Sequence, residues 1–82
     1  MRRFRIEPGG FMPLHTNTVE HEQYVLQGQA EIRFNETTRH VCPGDVLLIP
    51  AGLPHAYTCI GPTPFEFLCL VPNQRDQLQL LE

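Results

Sequence analysis

The chain has 82 residues, with six Arg, no Lys and nine acidic side chains, and its formal net charge is -3 at neutral pH. This length fits a single domain over residues 1–82, whose small core would benefit from a bound metal or a partner subunit. The acidic balance gives no broad positive surface for phosphates, so nucleic acid is not an expected partner.

Cysteine usage and hydropathy indicate the cellular compartment of the protein. Cys42, Cys59 and Cys69 are odd in number and lack Cys-x-x-Cys spacing, so neither a disulfide framework nor a thiolate zinc site is predicted. No apolar run reaches the length of a membrane span and no signal-peptide pattern is present, so a cytoplasmic protein with reduced thiols and no membrane partner is expected. Cys42 and Cys69 lie in apolar strand patterns and are expected to pack as small hydrophobes.

Pro and Gly residues divide the chain into segments of strand length, and no helical period is sustained. The predicted strands, in chain order, are Arg3–Glu7, Phe11–Asn17, Glu20–Gln27, Ala30–Phe34, Thr38–Cys42, Val46–Ile49, His55–Ile60 and Phe65–Val71. The return at residues 27–29 is interpreted as a hairpin, and residues 35–37 and 43–45 as polar turns. The tail after Pro72 is predicted to be either a short helix or an edge strand.

This pattern predicts an all-β fold, a small antiparallel β-barrel or jelly roll. Val46–Ile49 and Phe65–Val71 are apolar on nearly both faces, which a monomer of this size cannot cover. A homodimer formed through sheet faces or exchanged edge strands is therefore predicted. The expected apolar lining of the barrel is Val25, Ile32, Phe34, Leu47, Ile49, Phe65 and Phe67.

Three of the four histidines, His15, His21 and His55, form a candidate metal site together with Asn17. Alternate residues of a strand point to the same face, so side chains of one parity can converge. Neutral imidazole is the commonest protein ligand for transition metals. The fourth histidine, His40, lies beside a predicted turn and is expected at the surface.

Two spaced motifs resemble those of the cupin superfamily. The first cupin motif is a Gly, five residues, His, one residue, His, three or four residues, Glu, six residues, Gly. Gly9, His15, Asn17, His21 and Gly28 occupy these places, with Asn17 replacing the second His and His21 replacing the Glu.

The second cupin motif is a Gly, five residues, Pro, one residue, Gly, two residues, His, three residues, Asn. Gly44, Pro50, Gly52 and His55 fit it, and Cys59 replaces the final Asn. The fifteen residues between the two motifs resemble the short spacer of small single-domain cupins.

The resemblance implies a small β-barrel with a divalent metal ion, Fe, Mn, Ni or Zn, held inside by His15, His21 and His55. Asn17 is either a further ligand or an outer hydrogen-bonding residue. Glu22 is the alternative to His21 at the position of the motif Glu. Three His plus water is also a catalytic zinc pattern, so the spacing does not identify the metal.

Gln23, Tyr57 and Cys59 share the parity of these residues and, with Phe67, are predicted to line the cavity. The leading functional hypothesis is a metal-binding, dioxygenase-like enzyme that activates O2 or a carbonyl-containing small molecule, with Glu22 or Tyr57 handling protons. The alternative is a non-catalytic module that binds a small ligand or metal. A third reading is a metal-free structural subunit.

Overall fold

The computed structural model covers all 82 residues, and the chain folds into nine β-strands without a helix. The strands are β1 (Arg2–Ile6), β2 (Phe11–Asn17), β3 (His21–Gln27), β4 (Gln29–Phe34), β5 (Thr37–Val41), β6 (Val46–Ile49), β7 (His55–Ile60), β8 (Phe65–Leu70) and β9 (Leu78–Leu80). The eight strands predicted from the sequence are present, with ends that agree to within one residue. The chain contains no helix of the length and apolarity needed to cross a bilayer.

The strands form two antiparallel sheets that enclose the core. One sheet has the order β1-β8-β3-β6 and the other the order β5-β4-β7-β2-β9. Both sheets contribute fully buried side chains to a single cluster between them, namely Val25, Ala30, Ile32, Ile49, Tyr57, Phe65, Phe67 and Cys69. Phe34 and Leu47, also predicted to face inward, are half-buried and pack against this cluster. The prediction of an all-β antiparallel jelly roll is confirmed.

The predicted hairpin at residues 27–29 is wrong. β3 pairs with β6 and β8, whereas β4 pairs with β5 and β7, so the chain crosses between the sheets at Gly28. Gly28 has a φ of 77°, and a Cβ atom there would overlap the carbonyl oxygen of Pro64. The glycine that suggests a hairpin turn instead permits a close approach between two backbone segments.

The hairpin that does form connects β4 and β5. Phe34 pairs with Thr37, and Asn35 adopts a positive φ of 53° in the turn between them. Asn tolerates this left-handed conformation better than most residues, which explains the polar turn at this position.

The C-terminal tail resolves as an edge strand. β9 pairs with β2 through Leu80 opposite His15 and Leu78 opposite Asn17. Between β8 and β9, residues 71–77 cross from one sheet to the other. The tail therefore lies against the strand that carries two of the candidate site residues.

Cys42 does not pack as a small hydrophobe, because it lies beyond the end of β5 in an exposed turn. Its backbone N–H donates a hydrogen bond to Asp45 Oδ2 at 2.9 Å, and its thiol lies 3.6 Å from the same oxygen. Cys69 is fully buried, as predicted. The apolar residues beside Cys42 belong to the strand, whereas Pro43 and Gly44 have already begun the turn.

Candidate functional site

A cavity of about 130 Å³ lies between the two sheets and contains the candidate residues. Its lining combines three imidazoles, two amides, one phenol and one guanidinium with an apolar wall. The lining residues are Arg2, Phe4, Met12, His15, Asn17, His21, Gln23, His55, Tyr57, Phe67 and Leu78. Seven of the eight residues predicted for the metal site or the cavity lining therefore border one space.

His15 and His55 lie opposite each other on the paired strands β2 and β7, with ring centroids 4.2 Å apart. Nδ1 of His15 is 2.7 Å from the carbonyl oxygen of Pro13, and Nδ1 of His55 is 2.8 Å from that of Leu53. Since a carbonyl oxygen only accepts, each Nδ1 carries the proton and donates it. In the neutral ring Nε2 then carries the lone pair, and neither Nε2 has a protein partner, which is the arrangement that binds metals.

The environment of His55 keeps its ring neutral. Burial, with a smaller effect of the neighbouring His15 and His21, lowers the pKa of His55 to about 4, although the hydrogen bond to Leu53 opposes the shift. At neutral pH the ring is therefore uncharged and its Nε2 lone pair is available.

His21 enters the cavity from β3, in the opposite sheet, and both of its ring nitrogens are occupied. Nδ1 lies 3.3 Å from the thiol of Cys69, and Nε2 lies 2.9 Å from Asp76 Oδ2. Since the Asp76 carboxylate only accepts, Nε2 of His21 carries a proton and donates it to Oδ2. In the neutral ring Nδ1 then accepts from the Cys69 thiol, whose pKa is raised by burial.

Because of the contacts of His21 with Asp76 and Cys69, only two of the three predicted histidine ligands have a ring nitrogen without a protein partner. His15 and His55 face each other, while His21 is engaged with Asp76, and no three His, Cys, Asp or Glu side chains converge as a ready-made metal group. All three imidazole rings border one cavity, but their ring nitrogens do not converge on a common position.

Asp76, which accepts the hydrogen bond from His21, is not identified by any pattern in the sequence. It belongs to the crossing segment between β8 and β9, and its Oδ2 also lies 3.5 Å from Asn17 Nδ2 and 3.8 Å from an Arg2 guanidinium nitrogen. Asn17 Oδ1 and Asp76 Oδ1 are both buried without a hydrogen-bond partner. Asp76 occupies no motif position, and the tail carries no periodic pattern from which its placement could be read.

Gln23 and Tyr57 form a buried pair on the cavity wall. The Tyr57 hydroxyl is 2.9 Å from Gln23 Oε1, to which it donates, and 2.7 Å from Gln23 Nε2, from which it accepts. Burial raises the pKa of Tyr57 well above its ordinary value, so its hydroxyl stays protonated. Tyr57 is therefore a hydrogen-bonding group at neutral pH and not a base.

Two other candidates lie away from the cavity. Glu22 follows His21 on β3 and by strand alternation faces outward, where it is paired with Leu48 and Leu70, so it can neither bind in the cavity nor handle protons there.

Cys59 shares the inward face of His55, but it lies four residues further along β7, roughly 13 Å away at strand spacing. It packs in the core, and its thiol lies 3.4 Å from the Thr63 carbonyl. His40 is exposed, as expected.

Comparisons with known proteins agree with this architecture. The family model described as Cupin domain matches residues 2–71. The chain is 29% identical over 80 residues to 1-methylthio-D-xylulose 5-phosphate methylsulfurylase of Rhodospirillum rubrum, covering 98% of this chain and 51% of that protein. It thus spans about half the length of that relative.

Solved structures superpose closely on the fold. A cupin 2 domain-containing protein from Halorhodospira halophila matches with a TM-score of 0.89 and 30% identity, covering 98% of this chain and 56% of that one. The polyketide cyclase RemF from Streptomyces resistomycificus matches with a TM-score of 0.87 and 30% identity, covering 98% of this chain and 58% of that one. From the family model and these likenesses together, the chain belongs to the cupin family.

Proposed function

We propose that this domain binds a divalent transition-metal ion, Fe, Mn, Ni or Zn, inside its cavity and uses it to act on a small organic molecule. One observation carries the proposal: Nε2 of His15 and of His55 are both left free by hydrogen bonds from Nδ1 to backbone carbonyls, and the two rings face each other in a buried cavity. Paired imidazoles whose Nδ1 atoms are held by backbone carbonyls in this way are typical of metal sites with an ordered ring orientation.

The amide of Asn17 also fits a cation in its chemistry. Asn17 borders the cavity, and its buried Oδ1 lacks any hydrogen-bond donor, which is costly unless a cation or water satisfies it. Imidazole nitrogen together with an amide oxygen suits Fe, Mn, Ni or Zn. His21, the third predicted ligand, would have to give up its hydrogen bond to Asp76 before its Nε2 could bind.

A bound ion would supply Lewis-acid polarisation, or oxygen activation if the ion is iron or manganese, to a substrate beside it. The protein's own groups would orient that substrate. Tyr57, held by Gln23, offers a protonated hydroxyl on the cavity wall, and Phe4 and Phe67 provide an apolar surface that excludes water. The two relatives described above are named for enzyme activities, which supports an enzymatic function, and a dioxygenase-like reaction is the first one to test.

A second candidate function is a non-catalytic module that binds a metal or a small ligand. The size of the cavity favours it, because about 130 Å³ is small beside the several hundred Å³ typical of pockets that enclose a whole organic ligand. A site of this size holds an ion and a few solvent-sized groups without walls for a larger substrate.

Metal binding is tested by replacing the two facing rings. We expect protein purified without chelator or nickel resin to contain about one ion per chain by elemental analysis. His15→Ala and His55→Ala should each weaken the binding of Mn²⁺ or Zn²⁺ at least about tenfold by calorimetry. His40→Ala removes an exposed histidine outside the cavity and should bind as the wild type does. A wild-type protein that neither contains an ion nor binds one on titration would contradict the proposal.

Turnover separates the two candidate functions. Metal-loaded protein is assayed for oxygen uptake with flavonol, thiol and diketone substrates, and its thermal unfolding is recorded with the same compounds. Oxygen consumption that disappears in His55→Ala supports the enzyme. A raised unfolding temperature without turnover in any of these classes supports the binding module, because a ligand that binds only the native state stabilises it.

A further inference from the structure

The charge that borders the cavity has one sign. The lining includes the Arg2 side chain but no Asp or Glu, although the whole chain carries a net charge of -3. The other polar lining groups are imidazoles, amides and one phenol, none of which carries a negative charge. A cleft lined by charge of one sign attracts small ions of the opposite sign. The cavity therefore favours an anionic occupant.

The Arg2 guanidinium has no carboxylate at hydrogen-bond distance. Three other arginines donate to carboxylates at 2.9 to 3.1 Å, namely Arg3, Arg5 and Arg33. The carboxylate beside Arg2 is Asp76, whose Oδ2 is 3.8 Å away and already accepts from His21 at 2.9 Å. The Arg2 guanidinium carbon lies 5.4 Å from the centre of the Phe4 ring, and this stacking holds it at the cavity wall. Its N–H groups are thus available to an anion.

The facing rings present the opposite chemistry. Nε2 of His15 and of His55 have no protein partner, and Asn17 Oδ1 is buried without one. Each of these atoms gains from a hydrogen-bond donor. A hydroxyl group is such a donor and is uncharged. An ammonium group would bring a second positive charge into a cavity with no lining carboxylate to balance it, so the hydroxyl is favoured.

The volume of the cavity limits the carbon skeleton between these two groups. About 130 Å³ holds roughly four groups the size of a water molecule. The apolar part of the lining, formed by Phe4, Met12, Phe67 and Leu78, suits a short chain of carbon atoms. A fitting ligand therefore combines one carboxylate, one hydroxyl and very little else.

We propose that the small organic molecule bound in this cavity is a short 2-hydroxycarboxylate, whose carboxylate accepts from the Arg2 guanidinium and whose hydroxyl faces His15 and His55. This inference rests on the proposed function and names its substrate class. An ion held only by imidazole and amide groups keeps its positive charge, so a bound metal favours the same anion.

Glycolate, the smallest such anion, is the probe, and glycolamide is its uncharged analogue. Because a charge-assisted hydrogen bond is stronger than a neutral one, we expect the wild type to bind glycolate at least about tenfold more tightly than glycolamide by calorimetry. Arg2→Gln should lower this ratio to about one. Arg39→Gln, a matched loss of charge at an exposed residue of β5, should leave it unchanged. A purely structural role of Arg2 would not alter the ratio of two affinities measured in one variant.

Acetate and glycine test the hydroxyl end of the ligand. Acetate lacks the donor and glycine replaces it with an ammonium group, so both should bind at least about fivefold more weakly than glycolate. NMR of the histidine rings locates the ligand in the same titrations. Glycolate should shift the ring resonances of His15 and His55 and leave those of His40, which is exposed outside the cavity, unchanged.

Equal affinity for glycolate and glycolamide in the wild type would overturn the inference, and so would a preference that persists in Arg2→Gln or tighter binding of acetate or glycine. The titrations use chelator-treated and Mn²⁺-loaded protein. A wild type that binds Mn²⁺ but not glycolate overturns the inference and leaves the proposed metal site standing. Glycolate binding to protein that takes up no metal supports the inference and overturns the metal in the proposed function.

Discussion

Gly28 and Gly52 have nearly the same backbone conformation but different surroundings. Their φ angles are 77° and 79°, a left-handed region in which any side chain is strained. Gly52 has open space where a Cβ would lie, whereas a Cβ on Gly28 would overlap the backbone of Pro64. The comparison separates the cost of the conformation from the cost of the contact.

We expect Gly52→Ala to lower the free energy of unfolding by about 1 kcal/mol, the strain of one left-handed residue. Gly28→Ala carries the same strain plus an overlap that only a shift of the main chain relieves, so it should cost roughly 3 kcal/mol or more. Urea unfolding followed by circular dichroism measures both values. Equal losses in the two variants would show that the Gly28 contact relaxes without cost.

Cys42 provides a second residue-scale prediction. The Asp45 carboxylate beside it, together with some desolvation, raises the pKa of the Cys42 thiol, so less thiolate is present at a given pH. Asp45→Asn keeps an oxygen for the Cys42 N–H but removes the charge. We expect this variant to be alkylated by iodoacetamide at pH 8 roughly two- to fivefold faster at Cys42, as measured by mass spectrometry of the intact protein.

The buried Cys59 and Cys69 serve as internal controls in the same reaction, because neither is accessible in the folded protein. Their modification in the variant would indicate unfolding and not a change in the Cys42 thiol. An unchanged or slower rate at Cys42 would contradict an electrostatic effect of Asp45.

At the scale of elements, the local pattern predicts strands well and their partners poorly. Strand ends are marked by Pro, Gly and polar turn residues, which act within a few positions of the chain. The connection at Gly28 could not be assigned in this way, because a glycine with positive φ serves both a hairpin turn and a crossing between sheets. The choice depends on Pro64, 36 positions away in the chain.

The residues at the candidate site also differ in whether local sequence patterns predict their positions. His15 and His55 could be predicted to meet because spaced motifs and strand parity act together. Asp76 could not, because its position depends on β9 pairing with β2, a contact between Leu78 and Asn17 across most of the chain. Three exposed leucines in a short tail do not distinguish a helix from an edge strand, and the acidic residue between the strands has no local signal.

At the scale of the whole molecule, one outer sheet face is largely apolar, with the carboxylate of Glu22 between Leu48 and Leu70. Tyr24 of β3 pairs with Val46 of β6 and with Leu68 of β8, and Leu48 lies beside them. Val46 is 74% exposed and Leu48 61% exposed, and β6 is an edge strand with β3 as its single neighbour. An uncovered apolar face beside a free strand edge favours association with another chain.

We propose that this face, formed by Tyr24, Val46, Leu48 and Leu70, is the interface of a homodimer. Light scattering at micromolar concentration should then give twice the chain mass of 9.4 kDa. Leu48→Glu places a second carboxylate beside Glu22 and should yield a monomer, because burying two adjacent unpaired carboxylates costs several kcal/mol. Phe11→Glu, a 68% exposed position on the other sheet, should remain dimeric. A monomeric wild type, or dissociation by Phe11→Glu alone, would refute this interface.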